Sequence, residues 1–144
     1  MNDQTNKQLT FFRFEDLRIY HKALDYIIWV QMITDNFPAI DSKLADGFCS
    51  TARRIALDIA EGSAREKVHF VSHLKEAKSA IRACLVYTTI AYKNSYLTEA
   101  DEEDSRNQLM EMTKMLGALI TSLQKNSSGM QEQYDDEVYP AKSW

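Results

Sequence analysis

Turn-forming residues are scarce in this chain: four glycines and two prolines in 144 residues. An all-β sandwich or barrel needs many turns, so that scarcity argues against one. Cysteine is scarcer than a disulfide framework requires. Cys49 and Cys84 both fall in helical patterns and read as small core residues in a reducing compartment. Long apolar runs are missing as well. No run of roughly 18 apolar residues occurs, so no membrane span is expected. The polar opening Met1-Asn2-Asp3-Gln4-Thr5 lacks the apolar core of a signal peptide. A cytoplasmic location is the expectation.

A strong charge of one sign is also lacking. The formal charge is −4, unevenly spread. Residues 49–93 carry eight Lys/Arg against four Asp/Glu, whereas residues 94–144 carry four against ten. Strong non-specific nucleic-acid binding is therefore not expected, but a local basic patch stays open.

The chemical constellations of enzymes are absent too. There is no glycine-rich phosphate loop and no serine in a nucleophile-elbow setting. Cys84 has no evident base partner. Glu66-x-x-His69 matches half of a di-iron site, but such sites need two of these motifs, and the second is missing. His69 and His73 stand four apart with Glu76 nearby, yet the helical wheel puts Glu76 on the polar side and His73 at the core edge. The expectation is a non-enzyme with no metal, cofactor or small-molecule substrate.

What the sequence has in quantity is helical periodicity. Apolar residues make up 44% and charged residues 26%, a globular balance. At this length roughly two-thirds of the unfolded surface can be buried. Four helices are predicted, at about 16–36, 42–61, 64–93 and 99–125, forming one all-α, up-and-down antiparallel four-helix bundle over residues 14–125. Asp16 is the expected N-cap of the first. Gly62 suits the left-handed position ending the second, and Ser63-x-x-Glu66 reads as a capping box for the third. Phe70, Leu74, Ala77, Ile81, Cys84, Thr88 and Ala91 repeat at alternating spacings of four and three, a heptad pattern that favours left-handed packing. Thr98 and Asp101 give a weaker capping signal for the fourth helix. Residues 1–13 read as a loose arm. Residues 126–144 read as an acidic, mostly disordered tail, in which Tyr134, Tyr139 and Trp144 are the candidate anchors.

The first helix is apolar on two sides. Leu17, Tyr20, Leu24, Ile27 and Ile28 form one stripe; Ile19, Ala23, Tyr26, Val30 and Ile33 form another, pointing nearly the opposite way. One core needs one stripe. The second stripe, Ile19 through Ile33, is assigned to contact between copies of the chain. The third helix adds a basic face. Lys75, Lys78 and Arg82 are spaced three and four apart, and Lys67 extends that face. Arg53, Arg54 and Arg65 lie nearby in sequence, and together the seven form a candidate phosphate-binding stripe. The alternative is a solvated face with internal ion pairs, such as Arg54 with Asp58. No aromatic residues interleave these cations to stack on bases.

Phe14-Glu15-Asp16-Leu17-Arg18-Ile19-Tyr20-His21-Lys22-Ala23 resembles the opening Phe-x-Asp-Leu-x-Val-Trp-Gln-Lys-Ala of a family of small bacterial four-helix-bundle proteins. These were first noticed in intervening sequences of large-subunit ribosomal RNA genes. Ile59-Ala60-Glu61-Gly62 with Arg65 resembles that family's signature Asn-Ile-Ala-Glu-Gly-x-x-Arg, and the stretch from Phe70 through Leu74 and Ala77 resembles its third helix. The chain departs at Asp58, where the signature has Asn, at Arg54, where it has Ser, and at Ala83-Cys84-Leu85, where Glu-Leu-Glu is usual. The resemblance implies a homopentamer, assembled as a ring. It also implies kinship with the accessory protein of diversity-generating retroelements, which binds a reverse transcriptase and nucleic acid. Two functions stay open: an adaptor binding RNA or a reverse-transcriptase-like, RNA-handling protein, or a purely structural, protein-interaction module.

Overall fold

A computed structural model describes residues 11–125. It contains four helices, α1 (Arg18–Thr34), α2 (Ser42–Ser63), α3 (Lys67–Lys93) and α4 (Glu99–Lys125), and no strand among the described residues. The loose arm and acidic tail expected from the sequence fall largely on residues 1–10 and 126–144, outside those described. Each helix packs on its neighbours in the chain, and α1 closes onto α4, so α1 and α3 stand diagonally opposite. Neighbours run antiparallel. Gly47 faces Tyr87 while Gly62 faces His73 across the α2/α3 seam; Lys22 pairs with Glu111 and Tyr26 with Ser105 across α1/α4. The result is an up-and-down four-helix bundle.

Helix ends differ from expectation where packing outranks capping. Residues Arg13–Asp16 form a 3-10 turn, so Asp16 does not cap α1. Leu17 takes the N-cap position without a side-chain hydrogen bond, because its apolar side chain packs against the core. At the next joint Gly62 is inside α2 and is not left-handed. A Cβ there would meet His73 Cβ at 2.7 Å and Phe70 Cδ1 at 2.9 Å, so glycine lets α2 and α3 touch. The capping box does not form. The Ser63 hydroxyl donates back to the Ala60 carbonyl at 3.0 Å, and Glu66 is itself the N-cap of α3. The left-handed residue is Ser95, at φ 66°. It closes α3 with a paired motif in which Ser95 N–H donates to Tyr92 O and Tyr96 N–H to Ala91 O. Thr98 Oγ1 accepts from Asp101 N–H at 3.0 Å, the capping contact expected there.

The core corrects the reading of α1. Ile19, Ala23, Tyr26, Val30 and Ile33, assigned above to contact between copies, are all buried within the single chain, against Phe48, Ile55, Leu109, Met112 and Leu116. Periodicity alone shows two stripes and does not say which one turns inward. Tyr26 decides it, because its hydroxyl has its partner inside the bundle.

That partner belongs to a buried chain of hydroxyls joining α1, α3 and α4. Thr88 O–H donates to the Cys84 carbonyl at 2.9 Å. A hydroxyl has one proton, so Thr88 Oγ1 must accept from Ser105, 2.8 Å away. Ser105 Oγ then accepts from Tyr26 O–H, also at 2.8 Å. All three side chains are fully buried. Burial raises the Tyr26 phenol far above its ordinary value, so it remains a donor. At one end of the bundle, Tyr96 O–H donates to Asp41 Oδ2 at 3.1 Å and its ring packs on Phe37. This fastens the α3/α4 loop to the α1/α2 connection.

Candidate interaction surfaces

The seven candidate phosphate-binding residues do not share one face. Lys78 is only 3% exposed and leaves the stripe. It lies one position past core residue Ala77, on the flank of α3 that also carries the partly buried Val71 and Leu85, so the helix turns it inward. Arg65 is held by Glu61, with Nε at 2.9 Å and Nη2 at 2.6 Å from Oε2. Arg82 donates to Ser79 Oγ at 3.2 Å and lines a groove between α3 and α4. Arg54 lies near enough to Cys84 for its charge to oppose, weakly, the burial that pushes that thiol up to about 12. Arg53, Lys67 and Lys75 are exposed. The cations are thus divided among the α2 surface, the α2/α3 turn and the α3/α4 side.

The signature segment makes a structural joint. Ile59 is buried, Glu61 grips Arg65, and Gly62 allows α3 to approach. Asp58 pairs with His73 Nδ1 at 3.3 Å across the seam, not with Arg54. His21 Nε2 donates to the Glu15 carbonyl at 2.7 Å, and His69 is exposed. Among the described residues no group of three or more His, Cys, Asp or Glu is arranged to hold a metal ion.

Several large apolar side chains remain on the outside, including Leu57 of α2 and Val68, Val86 and Ile90 of α3, and two further features bear on contact. On α1, Ile28 and Met32 stand four residues apart on the face turned away from the core, while Leu24, one turn earlier, is partly buried against the core. Ile28 is 55% and Met32 58% exposed, and the exposed Asp25, Asp35 and Arg18 lie around them. Ile28 belongs to the first of the two stripes read from the sequence; the rest of that stripe, Leu17, Tyr20, Leu24 and Ile27, is partly buried against the core. The other feature is the α3/α4 groove, of about 390 Å³. Ile81, Leu85, Leu109 and Met110 give it an apolar lining, and Thr113, Asn107, Arg82, Arg106 and Glu103 complete it. Periodicity could not reveal this groove, because it forms between two helices. Its only trace in the sequence is Met110, on α4 but off the core stripe.

No helix among the described residues is long and apolar enough to cross a membrane. No curated protein matches the chain. Residues 15–118, from before α1 well into α4, match the family model described as 23S rRNA-intervening sequence protein. With the match covering well over half of its length, the chain belongs to the family of 23S rRNA-intervening sequence proteins.

Proposed function

We propose that this protein is a non-catalytic, self-associating adaptor that presents its outer helical faces to protein partners. The observation that carries this reading is the exposed apolar pair Ile28 and Met32 on the outside of α1. Covering the exposed parts of Ile28 and Met32 is worth on the order of 1 kcal/mol each, and a single chain leaves that gain unused. Self-association therefore passes from the Ile19–Ile33 stripe, which fills the core, to the opposite face of the same helix. Assembly as a ring of five copies is what the family resemblance implies.

RNA is the less favoured partner. The net charge is −4, Lys78 is buried, and the remaining basic residues are dispersed. A phosphate backbone is bound tightly by clustered cations, and the attraction falls steeply with salt. Light scattering on the purified full chain tests the main reading. At micromolar concentration the wild type is expected as a multiple of the chain mass, and Ile28→Glu with Met32→Glu as a folded single chain. A wild type that stays a single chain overturns the proposal.

A further inference from the structure

We infer that residues 126–144, the acidic segment that follows α4, dock on the first turns of α3 of the same chain, where their carboxylates cover Lys67 and Lys75. Such docking lies within one chain and holds whether or not copies associate. Charge is its first support. The whole chain carries −4, yet α3 carries Lys67, Lys75, Lys78, Arg82 and Lys93 against the single acid Glu76. Lys67 and Lys75 are exposed. On the neighbouring helix, α4 from Met112 to Lys125 holds the exposed Lys114 and Lys125 and no acid. The acids of the first turn of α4, Glu99, Asp101 and Glu102, stand at the opposite end of the bundle. Residues 126–144 hold Glu132, Asp135, Asp136 and Glu137 against Lys142 alone. They therefore follow α4 at the end of the α3/α4 pair where the charge is opposite to their own.

Reach is the second. α3 and α4 are antiparallel neighbours, so Lys125 at the end of α4 lies at the same end of the bundle as Lys67 at the start of α3. Lys75 stands eight residues further along α3, about 12 Å at the rise of a helix, and about 10 Å away across the helix pair. The run Asp135-Asp136-Glu137 begins ten residues after Lys125. Ten extended residues span up to about 33 Å. The segment covers the distance with slack, and the bundle need not change.

The third is an apolar contact at the same place. Val68, beside Lys67, is 69% exposed. Val71 is partly buried and stands midway between Lys67 and Lys75, four residues from each. Tyr134, Val138 and Tyr139 flank the acidic run and supply the matching surface. Exposed ion pairs are individually weak. A tether changes the balance, because it holds the segment at an effective concentration on the order of millimolar. The chain's own carboxylates then occupy the place that a phosphate backbone would take on α3, and a polyanion has to displace them.

Zero-length carbodiimide coupling on the full chain tests this, because it joins a lysine amine to a carboxylate only where the two touch. Peptide mapping by mass spectrometry should find Lys67 and Lys75 joined to Asp135, Asp136 or Glu137. In a mixture of isotope-labelled and unlabelled chains, these pairs should carry one label each and never both. They should vanish at about 1 M salt, where the Debye length is about 3 Å. Binding of polyuridylate at low salt is the second readout. Asp135→Asn with Asp136→Asn and Glu137→Gln should tighten it at least about fivefold, and adding Lys67→Glu with Lys75→Glu should remove that gain. Both lysines are exposed, so helical circular dichroism should stay unchanged. Absence of coupling, coupling of the segment to lysines elsewhere, or pairs with mixed labels, which place it on another copy, each overturn the docking. So does polyuridylate binding that is unchanged by neutralising the segment.

Discussion

Taking hydroxyls out of the Tyr26–Ser105–Thr88 chain should reverse the sign of one substitution. In the wild type, Tyr26→Phe deletes a buried hydrogen bond of 2.8 Å and should cost about 0.5–1.5 kcal/mol. Ser105→Ala alone still leaves the phenol an acceptor, because Thr88 also lies within its hydrogen-bonding reach. That variant should lose about 1 kcal/mol. Ser105→Ala with Thr88→Val removes both acceptors. The phenol is then an unpaired donor in a fully buried site, with a penalty of about 1–3 kcal/mol beyond the sum of the single changes. In that background Tyr26→Phe deletes the orphaned donor and should return about 1–3 kcal/mol. Urea unfolding followed by helical circular dichroism measures each step, at several protein concentrations so that self-association is separated from folding. For a domain of this size 1 kcal/mol corresponds to roughly 4 °C in Tm. If Tyr26→Phe destabilises both backgrounds to the same extent, the phenol is not held by these hydroxyls and the order of donors derived above is wrong.

Two glycines should respond oppositely to alanine. Gly62→Ala gains helix propensity but drives a methyl to 2.7 Å from His73 Cβ, which is fixed to its backbone, and a net loss of about 1–3 kcal/mol is expected in thermal unfolding. Gly117→Ala meets nothing within 4 Å inside α4 and should stabilise by about 0.5–1 kcal/mol. At alkaline pH the buried thiol and phenol should weaken the fold. Cys84 is raised from 9.0 to about 12 by burial, so the folded state keeps a proton that the unfolded state gives up. Its contribution is fully present below pH 9 and is lost as pH rises towards 12, with a slope of at most about 1.4 kcal/mol per pH unit. Tyr26 adds the same trend above its ordinary value of 10.0. Cys84→Ala should therefore flatten the decline in unfolding free energy just above pH 9; an unchanged slope would show that the thiol titrates normally.

The helices were legible in the sequence because heptad spacing and sparse glycine and proline leave few other arrangements. The heptad of α3 contributes Leu74, Ala77, Ile81, Cys84, Thr88 and Ala91 to the buried core, and Thr98 caps α4. Legibility ended wherever two positions competed for one role. Gly62 has the residue type of a helix stop, but its neighbours in space demand a close approach, and the left-handed turn falls to Ser95. Lys78 looks like part of a basic stripe at a spacing of three, yet its rotation about α3 turns it inward. On α1 both stripes are apolar, and the choice between them rests on Tyr26 meeting Ser105, 79 residues away. Local periodicity carries no information about such a partner.

The residues that resemble the family signature and the exposed apolar residues of the outer faces are different sets. Ile59, Glu61, Gly62 and Arg65 are occupied in building the α2/α3 joint, by burial, an ion pair and a close helix approach. Substitution there is expected to act through stability, and a loss of partner binding at Gly62 would say little about the contact itself. Ile28, Met32 and Met110 are at least half exposed, so their replacement should leave the bundle folded while changing what it binds. The specificity of this chain should accordingly follow transplantation of its α1 and α3/α4 surface residues onto another member's bundle, and should not follow transplantation of the signature.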